Sequence, residues 1–510
     1  MIEKTMQGIV TIDVGTSSLR SSLYTMEGVC LHSCQFHYGP EFMGSNRVEQ
    51  DPGSWEAALL DTLHGISLYC SEHRYTVEAM SIASQRASVI PLDAEGKPLY
   101  RAIMWQDKRS ITESELFAKT ISPSAVYRKT GLRIDSYFSA PKIMWLKYHE
   151  PEMFDSAQKF IGVQDYVAYL LTGSIVTDAS QASRTLMMNL GTKQWDPELL
   201  AVVGIPSSKL PHIIEPSSAC GHLTESFASQ VGLASGIPVI LAGGDQGCAA
   251  MSLGMVEPGV VVANTGTGSF TLGYAEQPQF HVLEKTLCSA GTIPGSYFIE
   301  AGLITSGILL QWFVEQFLKE LPKEEAFSTA FKEIMTSSVG SNGVVLLPHF
   351  KGVAAPFWNP LAKGMFFNVT LSTTRGDMAR SVLEGISLDM ALNFALVKET
   401  MGGSVAKVAI AGGMTRRDVF NQMQADVYNQ PVWIADSAEA SSLGAWMSGA
   451  VAIGVYENHE KAFEQIQAKN PLKYEPDSDA VAIYAKIQLK RLALYDALAS
   501  SRVYETFAER

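Results

Sequence analysis

The chain has 510 residues, of which 46% are hydrophobic and 18% charged, a composition that is ordinary for a globular protein with more than one domain. Its formal net charge of −13, with no block of lysine and arginine, argues against a nucleic-acid partner, because a phosphate backbone would be repelled. The six cysteines form no Cys-x-x-Cys pair and no apolar run reaches the roughly 18 residues of a membrane span. We therefore expect no zinc site, no membrane partner and a cytoplasmic location.

The first pattern in the chain is strand, tight turn, strand over residues 8–25. A β-branched run ends at Asp13, and small residues make the turn. Gly15 would let the backbone approach a ligand, while Thr16 and Ser17 offer hydroxyl and amide donors, a combination that suits a metal-bound phosphate. The alternative is an ordinary β-hairpin with a solvated acid at its tip.

The same pattern returns over residues 259–273, about half a chain later. Two hairpins of one kind, each opening a half of the chain, predict a duplicated domain whose turns face each other across a cleft and hold a polyphosphate. We therefore predict an α/β fold with one lobe over residues 1–252 and a second over residues 253–510.

Hydrophobic periodicity predicts further elements between and after the two hairpins. The terminal helix shows one apolar stripe through Leu489 and another through Ile483, which predicts packing on two sides. Helices are predicted at residues 55–69, 164–171, 307–320, 380–400, 418–429, 443–455 and 480–498, and strands at 29–38, 77–83, 297–300, 344–347 and 408–410.

Polar residues follow the strand at 77–83. Gln85 and Arg86 lie where open α/β sheets present ligand-binding groups, at the carboxyl end of a strand. Trp105 stands in a later polar stretch, and it is either part of a binding site or part of the core.

A strand that begins at Pro238 leads into a glycine turn, Asp245, Gln246 and a helix. Asp245 is either the N-cap of that helix or a catalytic carboxylate, and the residues alone leave both open. Gly412 and Gly413 close the strand at 408–410, where they either carry a nucleotide past the strand end or make a plain strand-to-helix turn.

Taken together, these stretches resemble the FGGY family of carbohydrate kinases, which includes glycerol kinase and xylulokinase, and the similarity covers nearly the full chain. The tryptophan motif and the Ala-Ser-Arg-Thr-Leu-Met run are more similar to glycerol kinase. The matching stretches are Asp13-x-Gly15-Thr16-Ser17-Ser18-x-Arg20, Gln85-Arg86, Trp105-Gln106-Asp107-x-Arg109, Tyr137-Phe138-Ser139-Ala140-x-Lys142-Ile143-x-Trp145, Asp178-x-x-x-Ala182-Ser183-Arg184-Thr185-Leu186-Met187, Gly244-Asp245-Gln246 and Gly266-Thr267-Gly268.

The resemblance implies the two-lobed fold of actin and hexokinase, built from duplicated ribonuclease H-like domains, with ATP and Mg²⁺ in the central cleft. It implies that Asp245 is the catalytic base and that Asp13 holds the magnesium shell. The expected nucleotide contacts are Thr16, Ser17, Arg20, Gly266, Thr267, Gly307, Gln311, Gly412 and Gly413, and the expected substrate contacts are Gln85, Arg86, Trp105, Tyr137, Asp245, Gln246 and Phe270.

Three positions depart from the family pattern. Ala87 stands where glycerol kinases carry a glutamate, Asn368 where the second family signature has glycine, and Arg417 at an adenosine-side asparagine position. The missing carboxylate predicts a pocket that is larger and one acceptor poorer. We therefore predict that the acceptor is a primary hydroxyl of a four- or five-carbon polyol or ketose, with glycerol itself as the alternative.

Two other classes share this fold, namely actin- or Hsp70-like ATPases and non-catalytic sugar sensors. The first would need a peptide-binding domain, and the second would lack the base or carry a DNA-binding appendage. The chain shows neither appendage and retains Asp245, which favours a kinase that acts on a small polyol or sugar. A homodimer is compatible with the sequence.

Overall fold

The computed structural model describes residues 6–435, 439–468 and 471–508. Two central sheets organise this part of the chain, and the regions built on them are called here the N-terminal and the C-terminal lobe. Each sheet begins with one of the two hairpins. The prediction of a two-lobed, duplicated α/β fold is confirmed.

The N-terminal sheet combines an antiparallel meander with parallel strands. Its strands are β1 (Met6–Val14), β2 (Ser18–Thr25), β3 (Cys30–His37), β4 (Tyr75–Ser84), β5 (Ser218–His222) and β6 (Pro238–Gly244). They lie in the order β3-β2-β1-β4-β6-β5. Strands β1 to β3 form the antiparallel meander, and β1, β4 and β6 run parallel to one another. Strand β5 is antiparallel to β6 and forms one edge of the sheet.

The C-terminal sheet repeats this arrangement. Its strands are β7 (Val260–Thr265), β8 (Ser269–Ala275), β9 (Leu287–Ala290), β10 (Tyr297–Leu303), β11 (Lys407–Ala411), β12 (Val432–Ile434) and β13 (Lys473–Tyr474). They lie in the order β9-β10-β8-β7-β11-β12-β13, again with an antiparallel meander, two parallel strands and an antiparallel edge.

Helices surround both sheets, and short strands pair outside them. The helices up to the second hairpin are α1 (Gly53–His73), α2 (Ile111–Thr120), α3 (Pro123–Thr130), α4 (Ser139–His149), α5 (Pro151–Ser156), α6 (Val163–Thr172), α7 (Ala179–Ala182), α8 (Pro197–Val203), α9 (Glu225–Val231) and α10 (Asp245–Ser252). The later helices are α11 (Gly307–Phe317), α12 (Lys323–Thr336), α13 (Arg375–Thr400), α14 (Asp418–Tyr428), α15 (Ala440–Ala452), α16 (His459–Ile466), α17 (Ser478–Ser500) and α18 (Val503–Thr506). The strand predicted at 344–347 is Val345–Leu347, and it pairs with Met365–Phe367 rather than with the central sheet.

The C-terminal lobe contains a helix that was not predicted and another that begins well before its predicted start. Helix α12 was not predicted, although Pro322 precedes it and two glutamates occupy its first turn. Helix α13 begins five residues before the predicted start at residue 380. Thr374 and Asp377 form a capping box there, in which each side chain accepts the other's backbone N–H, at 3.1 and 2.9 Å.

The prediction of two apolar stripes on the terminal helix is wrong. Leu489 is 70% exposed, and the buried positions of α17 include Tyr484, Arg491 and Tyr495. The phenol of Tyr484 donates to Glu384 at 3.1 Å, and Arg491 pairs with Asp389 at 2.7 Å. One face of the helix therefore packs on the lobe through long side chains whose apolar parts are buried and whose polar ends form hydrogen bonds or ion pairs.

Helix α15 returns from the C-terminal part of the chain to the N-terminal sheet. It packs against β1, β4 and β6, as a buried helix, which was the prediction for this segment. Gly444 permits close packing on α10, because a Cβ there would collide with the Cys248 backbone. The Trp446 indole donates to the Thr25 carbonyl at 3.0 Å. The predicted division of the chain at residue 252 stays a prediction, because α15, which comes after that residue, covers one face of the N-terminal sheet.

Among the helices of the described residues, none has the length and apolarity needed to cross a bilayer.

Candidate active site

The turn of the first hairpin and strand β7 of the second hairpin border a cleft between the lobes. The cleft encloses about 350 Å³, which is large enough for a nucleotide-sized ligand. Its walls include Asp13, Gly15, Ser18, Arg20, Gln35, Asn264, Ala411, Gly412, Glu439 and Ser441. The structure thus brings Asp13, Arg20 and Gly412, which the sequence predicts as metal and nucleotide contacts, to one cavity.

Asp13 lies next to the end of β1, directly opposite Arg20 on β2. Burial raises the pKa of Asp13 to about 7, the neighbouring Asp245 carboxylate adds to the rise, and Arg20 opposes it. A carboxyl group with this pKa is half ionised near neutral pH, so a bound cation would complete its ionisation.

Arg20 connects the two lobes. Its guanidinium forms an ion pair with Glu439, just before α15, and donates to Gln35 at 3.0 Å. The Thr16 hydroxyl accepts from the Trp105 indole at 3.0 Å. Ser17 is exposed at the tip of the turn. The first hairpin is therefore tied both to the opposite lobe and to the predicted substrate pocket.

The second hairpin is joined to the start of α11 by backbone hydrogen bonds. The Gly307 N–H donates to the Gly266 carbonyl at 2.9 Å, and the Ser306 N–H donates to the Thr267 carbonyl at 3.0 Å. A Cβ at Gly307 would lie 2.6 Å from the Gly266 oxygen, so this approach requires glycine. The turn and a helix N-terminus therefore form one unit, the usual setting for a bound phosphate.

The remaining predicted nucleotide contacts, Gly412, Gly413 and Gln311, lie next to this unit or on its helix. Gly412 follows β11 and has a φ of 101°, and a Cβ there would collide with the Thr265 carbonyl. Glycine therefore allows the chain after β11 to pass close to the second hairpin. Gly413 begins the short turn that follows. Gln311 is exposed and donates to Glu315 on its own helix at 2.7 Å. The contacts of Gln311 and Gly413 with a nucleotide stay predictions.

Asp245 is the first residue of α10, directly after β6. Gly244 occupies the N-cap position, and the Asp245 carboxylate accepts from the next N–H, that of Gln246, at 2.7 Å. The capping alternative for Asp245 is thus not what the structure shows. Its Oδ1 lies 4.0 Å from the Arg86 Nε, and the side chain is 32% exposed toward the cleft.

Burial raises the pKa of Asp245 above its usual value, while Arg86, the Gln246 N–H and Arg184 lower it and Glu300 raises it again. A carboxylate with a raised pKa is a stronger proton acceptor than an ordinary aspartate. The position of Asp245 beside the cleft, with this electrostatic setting, suits a general base.

The predicted substrate residues surround Arg86. Its guanidinium donates to the Gln246 side-chain oxygen, and its stem packs against Gly244, where a Cβ would approach within 2.5 Å. The rings of Trp105 and Tyr137 lie 5.7 Å apart between centroids. This arrangement offers donors, acceptors and an aromatic wall, which is what a polyol requires.

Phe270 on β8 and Gln85 after β4 are the other two predicted substrate contacts, and the contact of Phe270 with substrate stays a prediction. Phe270 pairs across the sheet with Gly302, and a Cβ at residue 302 would lie 3.3 Å from the ring, so the glycine makes room for it. The Gln85 amide donates to the Gly15 carbonyl at 3.1 Å. Gln85 therefore supports the first hairpin, and its contact with substrate stays a prediction.

Ala87 departs from the family pattern in conformation as well as in size. Its φ is 66°, in the left-handed region that costs a non-glycine residue about 1 kcal/mol. The residue is buried and lines a cavity of about 30 Å³, together with Ser139, Asp165 and Thr185. The lining of this cavity does not include Arg86, Trp105 or Tyr137, so it is a separate space behind Ala87.

Asn368 and Arg417, the other two departures, have local explanations. Asn368 has a φ of 62°, and asparagine tolerates this conformation better than most residues, which accounts for its standing in for glycine. Its amide donates to the Gly343 carbonyl at 2.9 Å. The Arg417 guanidinium lies 4.5 Å from the centre of the Phe331 ring.

Two charged residues of the site were missed by the sequence analysis. Glu300 on β10 is 6% exposed, and Arg184, two residues after the end of α7, is 3% exposed. Their charged groups are 3.2 Å apart. An acid that ends an otherwise apolar predicted strand was the available signal for Glu300. Arg184 stands within a matching motif, but its partner lies more than a hundred residues away.

Lys142 positions the loop that carries Tyr137. It is fully buried, and its ammonium donates to the backbone carbonyls of Ser136, Tyr137 and Phe138, at 3.1 Å for Ser136 and 3.2 Å for Phe138. Burial lowers the pKa of Lys142 to about 7, although Asp107 and Asp135 oppose this. The lysine therefore holds three consecutive carbonyls behind the pocket wall.

We expect Lys142→Met to raise the KM for the polyol about tenfold or more while the KM for ATP stays within twofold, because the Tyr137 wall loses its support. The free energy of unfolding should fall by about 1–3 kcal/mol, since buried carbonyls lose their donor. Lys147→Met is the matched control, because Lys147 also donates to a partly buried backbone carbonyl, that of Gly204, away from the pocket. Equal changes in both KM values would contradict the positioning role.

Comparison with known proteins agrees with this geometry. The family model of the N-terminal domain of the FGGY carbohydrate kinases matches residues 8–252, and the model of the C-terminal domain matches residues 261–453. A glycerol kinase from Janthinobacterium sp. (strain Marseille) is 30% identical over 493 residues, covering 93% of this chain and 95% of the relative.

Two further proteins show the breadth of the similarity. A xylulose kinase from Staphylococcus xylosus is 28% identical over 447 residues, covering 88% of this chain and 91% of the relative. The crystal structure of a gluconate kinase from Lactobacillus acidophilus superimposes with a TM-score of 0.91 at 25% identity, covering 98% of this chain and all of the other.

The fold, the cleft and these matches define a phosphotransferase that acts on alcohol groups of sugars or polyols and uses ATP. The chain belongs to the FGGY family of carbohydrate kinases. An ATPase without a sugar substrate and a non-catalytic sensor, the two other classes that the sequence left open, are not among these relatives.

Proposed function

We propose that this kinase transfers the γ-phosphate of Mg²⁺-ATP to a primary hydroxyl of a four- or five-carbon polyol or ketose. The observation that carries the proposal is the position of Asp245, which stands at the cleft between the predicted phosphate hairpins and the pocket formed by Arg86, Gln246 and the aromatic pair. Each part of phosphoryl transfer has a residue suited to it.

Asp245 accepts the proton of the substrate hydroxyl. Phosphoryl transfer needs an acceptor oxygen aligned with the γ-phosphate and a group that receives its proton. The raised pKa of Asp245 matches this task near neutral pH. Arg86 and Gln246, which are joined to each other, orient the neighbouring hydroxyls of the substrate.

The donor groups at the cleft fit Mg²⁺. This ion is usually held by one or two carboxylates together with phosphate oxygens and water, rather than by a full protein cage. Asp245 lies close enough to Asp13 for its charge to raise the pKa of Asp13, and the described residues hold no cluster of three or more acidic, histidine or cysteine ligands. Asp13 would hold the ion, which when bound neutralises charge on the phosphates.

The lobes exclude water by approaching each other over the cleft. Arg20 and Glu439 already connect the two sides. A closed cleft favours transfer to the bound alcohol over hydrolysis of ATP. Gly266, Thr267 and Gly307, at the unit formed by the second hairpin and α11, are placed to contact the phosphates from the C-terminal side.

The length of the substrate follows from Ala87. The alanine lacks the carboxylate and the side-chain volume that a glutamate supplies at this position in glycerol kinases, directly after Arg86 in the chain. Glycerol would fit such a pocket loosely, whereas a longer chain would fill it.

We expect the best four- or five-carbon compound to exceed glycerol in kcat/KM by about tenfold or more, since one methylene in a pocket is worth about 1–3 kcal/mol. Steady-state assays of ADP release with glycerol, erythritol, xylitol, ribulose and xylulose measure this. Ala87→Glu should shift the ratio toward glycerol. A wild-type preference for glycerol over every longer compound would instead make the protein an ordinary glycerol kinase.

A cytoplasmic location is part of the proposal. All six cysteines are free thiols, which suits a reducing compartment.

A further inference from the structure

Glu300 brings a carboxylate from the C-terminal lobe to the base of a pocket that the N-terminal lobe provides. It stands near the middle of β10, and only 6% of the residue is exposed. A carboxylate at this depth is stable as an anion only when cations or donors surround it. The groups next to Glu300 therefore determine its role in the pocket.

Two arginines surround Glu300. Its Oε2 lies 3.2 Å from Nη1 of Arg184 and 3.9 Å from Nη1 of Arg86. Arg184 also donates to the Ser289 hydroxyl at 3.1 Å, and its guanidinium lies 5.8 Å from the centre of the Tyr137 ring. Both arginines thus face the substrate pocket while Glu300 lies between them and the C-terminal sheet.

The charges of the pocket are balanced. The cations are Arg86 and Arg184, and the anions facing them are Glu300 and Asp245. Lys142, behind the Tyr137 ring, donates to backbone carbonyls. The side chains of Arg86, Arg184, Glu300 and Asp245 together therefore carry no net positive charge that would attract a carboxylate.

Burial would by itself lower the pKa of Arg86, and Glu300 is the largest of the influences that raise it, ahead of Tyr137 and Asp245. Glu300, whose carboxylate lies 3.9 Å from the Arg86 guanidinium, therefore contributes more than these two groups to keeping Arg86 charged.

We propose that Glu300 determines specificity by neutralising Arg86 and Arg184, so that the pocket accepts uncharged polyols and ketoses and excludes aldonates. The inference rests on the proposed function and names the chemical class of its substrate. Without the Glu300 charge, the two arginines would form a paired donor set of the kind that binds a substrate carboxylate.

The test compares xylitol with xylonate, which differ in the oxidation state of one terminal carbon. For the wild type we expect binding and turnover of xylitol and weak binding of xylonate. Glu300→Gln should raise the ratio of xylonate to xylitol affinity about 10- to 100-fold, because a charge-assisted hydrogen bond to a carboxylate becomes available. Arg184→Gln should move the same ratio in the opposite direction.

Isothermal titration calorimetry measures both affinities without requiring turnover. Glu300→Asp, which keeps the charge, should still exclude xylonate, and Glu276→Gln, an exposed change at the far end of β8, should leave the ratio unchanged. A merely structural role for Glu300 predicts equal losses for both ligands, and that result would overturn the proposal.

The two proposals fail in different ways. A wild type that binds xylitol without phosphorylating it contradicts the proposed function, while the affinity ratios still decide the role of Glu300. If Glu300→Gln does not fold, as judged by its thermal transition, Arg184→Gln decides: an unchanged or raised xylonate ratio in that variant overturns the proposal.

Discussion

The Asp245→Asn variant should lose turnover by about 10²–10⁴-fold, the usual contribution of a positioned general base. The amide keeps the size of the side chain, and its oxygen can still accept from the Gln246 N–H, so α10 should start unchanged. Because only the proton acceptor is removed, KM values for both substrates should stay within a few-fold. Steady-state kcat with saturating ATP and polyol measures the effect.

A matched control is Asp418→Asn. Asp418 is the first residue of α14, as Asp245 is of α10, but it is exposed and faces Tyr474, to which it bonds at 2.7 Å. Its replacement should leave kcat unchanged. Near-normal turnover of Asp245→Asn, with both substrates bound, would show that Asp245 is not the base.

The second large effect is expected at Asp13. Asp13→Ala should lower kcat/KM for Mg²⁺-ATP by about 10–100-fold, the usual cost of removing a residue that orients a metal. Polyol binding, measured by calorimetry without nucleotide, should change less than twofold. Glu27→Gln, an exposed change at the opposite end of β2, is the control. A large loss of polyol affinity in Asp13→Ala would contradict the metal assignment.

The pH dependence gives an independent test of Asp13. Its pKa in the protein without nucleotide is raised to about 7, so the ionised form that binds the cation is lost as the pH falls through 7. The kcat/KM for Mg²⁺-ATP should therefore fall on the acid side of pH 7. Arg20 lowers this pKa, so Arg20→Gln should move the acid limb to higher pH.

The architecture was predictable because local patterns carry it. Both hairpins combine β-branched strands with turns of small residues, and their repetition half a chain apart indicates the duplication before any contact is known. Asp13 and Asp245 were likewise found from their places at strand ends, where polar residues are exposed to a cleft.

The missed features depend on contacts between distant residues. Glu300 meets Arg86 and Arg184 only after the two lobes come together, so its role has no local signal. The packing of the terminal helix was predicted wrongly for a related reason. Tyr484 and Arg491 are buried because Glu384 and Asp389 lie opposite them on α13. The apolar residue Leu489 faces solvent instead. The periodicity of hydropathy does not indicate which polar residues are buried through ion pairs and hydrogen bonds with distant partners.

The return of α15 to the N-terminal sheet affects how the protein can fold during synthesis. Ile9, Tyr24 and Ala79 form a buried cluster with Trp446, Met447 and Ala450. A ribosome that has made only the first half of the chain has therefore released a sheet with one apolar face uncovered. Helix α15, which covers that face, is synthesised about two hundred residues later. The first lobe therefore stays incompletely packed until translation is nearly over.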